Sequence, residues 1–352
     1  MKALKYIIFL LLIGFIGTSI YIAVQPNEFK FSRSKTINAP TPVVFDIVND
    51  FKQWPRFSPW IEQDTAATLT YKEKTSGVNA GYTWEGDILG VGNAKTLSLT
   101  ENKTISQDIE FIEPFQSTSQ IDWDFEPTKD GTKVTWTMSG TQDFMTKAYT
   151  VFGGSIESQT APDFERGLFK LDSIALADIQ KYNIKVNGVT KRSGGFYLYK
   201  TVSCKMNELS SKMSALLPEV GSYAISNNVT FAGPPFVYYH KWDEKNNAVI
   251  FSACIPTTSQ IFTAENSDIL TGELQSFKAI ETTLTGNYTN LKEAWETTMK
   301  YIPENGLQLS GQGPMIETYL NDPSSEPNPA KWLTKIYIAI NDVAISETAT
   351  IE

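Results

Sequence analysis

Histidine and cysteine are nearly missing. His240 is the sole histidine, and Cys204 and Cys254 are the only cysteines among 352 residues. That scarcity leaves almost no room for His-dependent triads or multi-histidine metal sites. No CxxC or Cys/His ligand spacing occurs, so no metal site is expected. The two cysteines are read as small buried residues, with a single disulfide as the alternative if their domain sits in an oxidising compartment. Clustered positive charge is also lacking. Lys and Arg number 30 against 39 Asp and Glu, a net charge of -9 with no basic stripe, so nucleic acid is excluded as a partner. Gly90-Val91-Gly92-Asn93 has no helix behind it and is read as a turn, not a phosphate loop, so no cofactor is expected.

What is present is apolar and aromatic. Apolar residues make up 41% and aromatics 12%, enough to build real cores, and the length suits two domains behind a membrane segment. Tyr6 to Val24 is an uncharged run of nineteen residues, long enough at about 1.5 Å per residue to cross most of a bilayer core of about 30 Å. Lys2 and Lys5 precede it. By the positive-inside rule the N-terminus stays in the cytoplasm, and residues 1–28 are expected to anchor the chain in the inner membrane with everything after them exported. A cleaved signal peptide is the rival, although Ser19-Ile20-Tyr21 and Tyr21-Ile22-Ala23 fit its small-x-small site poorly.

Residues 29–182 read as an α+β domain. A strand candidate, FKFSRSKTI, is followed by a short helix opened by Ala39-Pro40. Strand-like segments then run from Ala66 to Thr141, where Trp123 and Phe125 alternate with Asp122 and Asp124 as in a half-buried antiparallel sheet. Lys129-Asp130-Gly131 marks a hairpin turn. A long helix closes the domain: Thr160 to Asp163 looks like a cap with proline in the first turn, and Phe164, Leu168, Leu171, Ala175, Ile179 and Tyr182 recur at helical spacing. INAPTPVVFDIVNDFKQWPRFSPW, GYTWEGDILGVG, IEFIEPF and PDFERGLFKLDSIALADI together resemble the START-like, helix-grip superfamily, also called SRPBCC or polyketide cyclase/dehydrase-like. The resemblance implies an apolar ligand between sheet and long helix. The rival reading is that Trp54, Trp60, Trp84, Trp123 and Trp136 simply fill a core.

Residues 183–195, polar and glycine-bearing, read as an inter-domain linker. The second domain, 196–341, contains a repeat with a period of about eighty. Phe196 to Ser203 answers Phe277 to Leu284 as a strand, and Asn207 to Val220 answers Tyr288 to Tyr301 as a helix. Gly233 to Tyr239 answers Gly313 to Tyr319, and Ala248 to Ile255 answers Leu333 to Ile340. Each half is a strand-helix-strand-strand unit, so the domain is expected to be a pseudo-twofold pair with a groove between its helices. Residues 342–352 read as a polar tail.

GNYTNLKEAW, GPPF, IETYLNDP and LTKIYIAI resemble the gyrase-inhibitor-like, or bacterial effector-binding, domain of multidrug-sensing regulators, including AraC-type sensors. In that family a strand glutamate matched by Glu317 commonly meets the positive charge of a ligand among aromatic rings, and some relatives are reported to hydrolyse small reactive molecules with a similarly placed glutamate. A histidine found in many members two residues before the helix-entry glycine is Leu284 here. No helix-turn-helix segment accompanies the sensor.

Strand alternation places Met315, Glu317 and Tyr319 on one face. Glu317 stands where the first half has Val237, whereas Tyr319 stands where it has Tyr239. A buried, unpaired carboxylate is costly, so Glu317 is expected either to be solvated on an open face or to have a partner. The ligand-binding candidates are Glu317, Tyr319, Tyr239, Phe236, Tyr288 and Trp295. They suggest a cationic or aromatic small molecule held by Coulomb attraction and cation-π contact. The alternatives are a hydrolase with Glu317 as general base, and an interaction scaffold with vestigial pockets.

Overall fold

The computed structural model describes residues 2–114 and 116–341; the expected tail at 342–352 lies outside the described residues. Helix α1 (Lys2–Ala23) carries no acidic residue in its first turn, and over Ala3–Ala23 its mean hydropathy is 2.3. It is long and apolar enough to span a membrane, a property shared by retained anchors and signal sequences. Two compact units follow from the chain's contacts, residues 1–178 and residues 179–352.

In the first unit the order is β1 (Glu28–Ile37), α2 (Thr41–Asn49), α3 (Trp54–Phe57), α4 (Pro59–Gln63), β2 (Thr68–Tyr71), β3 (Gly81–Gly86), β4 (Gly90–Thr100), β5 (Thr104–Glu113), β6 (Ser117–Thr128), β7 (Gly131–Thr141), α5 (Phe144–Gly153) and α6 (Ile156–Ile179). The strands form one antiparallel sheet ordered β1-β7-β6-β5-β4-β3-β2. Its inward residues, among them Ile105, Ile121, Trp123, Phe125, Val134 and Trp136, are buried as the alternation predicts.

Helix α6 begins earlier than the sequence suggests. Ser155 Oγ accepts from the Ser158 backbone N–H at 3.1 Å, so the first turn forms ahead of Thr160 and Pro162 lies inside the helix. Its apolar stripe, Ala161, Phe164, Leu168, Leu171 and Ala175, is buried. The interior it covers is filled with rings. Trp123 stacks on Trp136 at 4.3 Å, Trp136 stacks on Phe164 of α6 at 4.0 Å, and Trp60 meets Trp136 edge-on at 5.7 Å. Trp123 and Trp136 are thus buried in this ring packing, and Trp60 is partly buried at its edge. Gly167 makes the stack possible, because a Cβ there would lie 2.7 Å from the Trp136 ring.

The second unit contains β8 (Asn183–Arg192), β9 (Gly195–Lys205), α7 (Leu209–Ser226), β10 (Phe236–Asp243), β11 (Ala248–Thr257), β12 (Leu270–Leu274), β13 (Phe277–Thr285), α8 (Leu291–Glu304), β14 (Met315–Tyr319) and β15 (Leu333–Ala339). The segment 183–195 is thus not a linker: most of it is strand β8, antiparallel to β13 from Asn183↔Thr285 to Arg192↔Phe277. Half-buried Ile184 and Val186 alternate with exposed lysines, a pattern an edge strand tolerates. An irregularity at Asn187-Gly188, where Gly188 has φ 91, hides the period from a sequence reading.

All eight strands join in the order β12-β9-β11-β10-β14-β15-β13-β8. The two halves of the repeat, β9-α7-β10-β11 and β13-α8-β14-β15, meet at the β10–β14 pair. Their outer strands are exchanged: β8 precedes β9 in the chain but pairs with β13, and β12 precedes β13 but pairs with β9. Cys204 and Cys254 are both free and buried, in core clusters on opposite faces of the sheet, which settles the disulfide question in favour of packing.

Replacing a helix-interior glycine by alanine ordinarily gains about 0.5–1 kcal/mol. At Gly167 the added methyl would press on a ring clamped by Trp123 and Phe164, and overpacking of this kind costs about 1–3 kcal/mol. Gly167→Ala should lower the urea midpoint of the first unit's unfolding, followed by tryptophan fluorescence; an unchanged or raised midpoint would contradict the tight stack.

Candidate functional site

Strand β14 lies at the centre of the sheet, with Glu317 opposite Val237 on β10 and Ile336 on β15. The pseudo-twofold axis passes through the Val237–Glu317 pair, because these are the residues the repeat equates. Alternation puts Met315, Glu317 and Tyr319, with Val237 and Tyr239, on the face covered by α7 and α8. Phe236, Tyr238 and Ile316 point to the other face, where Phe236 packs edge-on to Tyr197 at 5.3 Å and lies 5.5 Å from the Arg192 guanidinium. Phe236 is therefore not part of the Glu317 environment. The sequence reading grouped it there because it belongs to the GPPF motif, and a one-residue step along a strand reverses the face.

Glu317 is 2% exposed. Tyr319 donates its hydroxyl to Oε2 at 2.6 Å, Trp295 donates Nε1–H to Oε1, and the Tyr239 hydroxyl is also hydrogen-bonded to the carboxyl. All three partners are neutral. Helix α8 supplies Trp295 from the same amphipathic turn that buries Ala294 and Thr298 against the sheet. Tyr239 packs edge-on to Trp295 at 5.5 Å, and its hydroxyl lies 3.9 Å from Met213 Sδ on α7. Tyr288 meets Tyr319 at 5.4 Å and tilts over Trp332 at 4.6 Å, with its hydroxyl donating to the Asn321 carbonyl at 3.3 Å. The structure thus brings together Glu317, Tyr319, Tyr239, Tyr288 and Trp295, five of the six residues expected.

Burial pushes the Glu317 carboxyl above its usual range, against the pull of the three donors, which favour the anion. Burial, with the nearby carboxylate adding to it, raises Tyr319 and Tyr239 well above the ordinary tyrosine value. Tyr288 is pushed up to about 12 by burial, then by Asp322 and Glu317. Two contributors escaped sequence reasoning. Met213, on α7, packs against the same core cluster and brings its Sδ to the Tyr239 hydroxyl. Thr334, opposite Tyr319 on β15, is fully buried and its Oγ1 has no hydrogen-bond partner. The alternation of TKIYIAI could have placed it on this face. Leu284, the residue that replaces the family histidine, is buried and paired with Thr334. His240 lies elsewhere, its Nε2 2.6 Å from Ser252 Oγ and its basicity lowered by burial. Among the described residues no group of three or more His, Cys, Asp or Glu could hold a metal ion.

Because burial in the folded state raises the Glu317 carboxyl above its usual value of 4.5, the sign of the pH effect follows. Below that value both folded and unfolded chains hold the proton and the group is neutral in effect. As pH climbs from 4.5 through the raised folded value, the unfolded chain ionises first and stability is lost. Glu317→Gln should remove that loss, so the stability difference between variant and parent, read by urea denaturation of the second unit, should shift in the variant's favour with rising pH. A pH-independent difference would refute the uncompensated carboxyl.

Comparison with known proteins assigns families to both units. Residues 37–169 match the model for polyketide cyclase / dehydrase and lipid transport, and residues 196–341 match that for the GyrI-like small molecule binding domain. A Streptomyces cyaneus protein named "Putative polyketide cyclase" is 27% identical over 117 residues, covering 32% of this chain and 70% of its own. Among solved structures, the EcmrR C-terminal domain aligns with 17% identity and a TM-score of 0.38, over 46% of this chain and 99% of its own. Protein MLL2253 from Mesorhizobium loti aligns with 20% identity and a TM-score of 0.32, over 42% and 97%. The chain therefore carries, in order, a polyketide cyclase/dehydrase-like domain and a GyrI-like small-molecule-binding domain.

Proposed function

We propose that the second unit binds a cationic aromatic small molecule at Glu317, in a protein that α1 anchors in the inner membrane with both units outside the cytoplasm. The observation that carries the binding reading is a fully enclosed carboxyl with three neutral hydrogen-bond donors, Trp295, Tyr319 and Tyr239. The donors orient the group without neutralising it, so a cation brought into contact would recover Coulomb energy that the protein itself does not supply. The rings of Tyr239, Tyr288 and Trp295 offer the cation-π faces that such a ligand needs. Entry requires the Trp295 indole to leave the carboxylate, since Glu317 is closed off in the structure.

General-base hydrolysis is supported less well. A raised carboxyl suits a base, yet both oxygens already accept hydrogen bonds, and Leu284 stands where the family's imidazole would be. The first unit's match to the polyketide cyclase / dehydrase and lipid transport model supports an apolar ligand between its sheet and α6, beside the Trp123–Trp136–Phe164 stack.

A rhodamine ester, which is cationic and aromatic, should bind the full chain in detergent. Glu317→Gln should weaken it at least about tenfold, since truncating one member of a buried charge pair costs about 2–5 kcal/mol. Equal affinity of the two proteins by fluorescence anisotropy would end the binding reading. For the anchor, sodium carbonate extraction should leave the native chain in the membrane pellet, and protease added to spheroplasts should reach the units; release from the pellet, or full protection, would overturn location or orientation respectively.

A further inference from the structure

Helix α5 has an apolar outer face that nothing among the described residues of the first unit covers. It is capped by Asp143, whose Oδ1 accepts from the Thr146 N–H at 2.7 Å. Its one charged residue, Lys147, is 5% exposed and turned inward. Met145, Tyr149 and Phe152 follow at i, i+4 and i+7 and are 72%, 65% and 76% exposed, and Phe144 beside them is 47% exposed. Isolated surface apolar residues are ordinary, but a charge-free stripe of four large side chains on a ten-residue helix is an interaction surface.

The position of α5 identifies what covers the stripe. Lys147 Nζ donates to the Ala23 carbonyl, the last residue of α1, and to Asn27 Oδ1, in the connection to β1. Among the described residues of the apolar helix, Ile22 alone is buried, at 5% exposed. The last turn of α1 is thus fixed against α5 where the membrane-compatible stretch ends. If α1 spans a bilayer, its end marks the interface, and tyrosine and phenylalanine there occupy the zone that aromatic belts fill.

We propose that α5 is an interfacial membrane helix, with Met145, Tyr149 and Phe152 inserted among the headgroups and upper acyl chains of the bilayer that α1 crosses. This rests on the reading of α1 as a retained anchor. The inward lysine joins the two helices, so one transmembrane segment and one in-plane helix together hold the first unit at a fixed orientation on the lipid surface. A short amphipathic helix buries its apolar face about 5–10 Å into that boundary.

The test uses the full chain in phosphatidylethanolamine/phosphatidylglycerol vesicles, with a nitroxide attached in turn at Met145→Cys, Tyr149→Cys and Phe152→Cys. Native Cys204 and Cys254 are buried and serve as unlabelled background. Lys129→Cys, in the turn at the far end of β7 from α5, is the water-exposed reference. Oxygen should relax the α5 labels several-fold more than a water-soluble nickel chelate does, and the order should reverse at position 129. Carbonate extraction of the same vesicles separates the two readings. Retention with nickel-accessible α5 labels overturns this proposal alone, whereas release overturns the anchor and the proposal together. Dipolar broadening between labels on different chains, with oxygen excluded, would assign the stripe to a second copy and likewise overturn it.

Discussion

A carboxyl buried between Val237 and Ile336, with only neutral hydrogen-bond donors around it, sets the terms for the second unit. Moving an ionised group from water into such surroundings costs several kcal/mol even after relaxation, and neutral donors recover only part of that. The protein meets the problem with geometry. Tyr319 reaches back along its own strand, Tyr239 reaches across from β10, and Trp295 comes down from α8, so that each carboxyl oxygen has a donor and none of the donors brings a charge.

Duplication explains how the site arose in the middle of the sheet. The axis relating the two halves passes through the Val237–Glu317 pair, so Tyr239 and Tyr319 are equivalent positions that converge on it from opposite sides. A symmetric pair of carboxylates at 237 and 317 would stand directly opposite each other on adjacent strands, where like charges repel. Keeping valine in one half leaves a single acid with two tyrosines, and the tyrosine of the half without an acid turns to the other's. Exchange of the outer strands β8 and β12 between the halves ties them into one sheet.

Much of this was legible in the sequence because the signals are periodic. Alternation in Ser117 to Thr141 and the apolar stripe of α6 predicted the first unit's sheet and closing helix, and the period of about eighty predicted the halves of the second. What escaped did so for separate physical reasons. Asn183 to Arg192 looks like a loop because edge strands tolerate lysine and a bulge breaks its alternation. Phe144 to Gly153 has no long period to detect, being a ten-residue helix whose outer face is apolar. Phe236 was assigned to the site by motif membership, but its strand parity sends it to the far side of the sheet.

If the site takes a cation as proposed, the raised carboxyl would also discriminate between kinds of cation. A permanently charged ligand bound as proposed would pair with ionised Glu317, so the upward push of burial on that carboxyl would make such binding weaken as the pH falls. An amine has a second route, entering neutral against the protonated acid and forming the ion pair by proton transfer inside the site. Its net proton balance is that of the whole pair, so its affinity follows its own basicity as well as that of Glu317. Both routes would end in the same contact among Tyr239, Tyr288 and Trp295. On the reading proposed above, the enclosed, neutral-donor environment of Glu317 would give weak bases and quaternary ions different responses to pH at one site, with only Trp295, Tyr319 and Tyr239 as the carboxyl's hydrogen-bond partners.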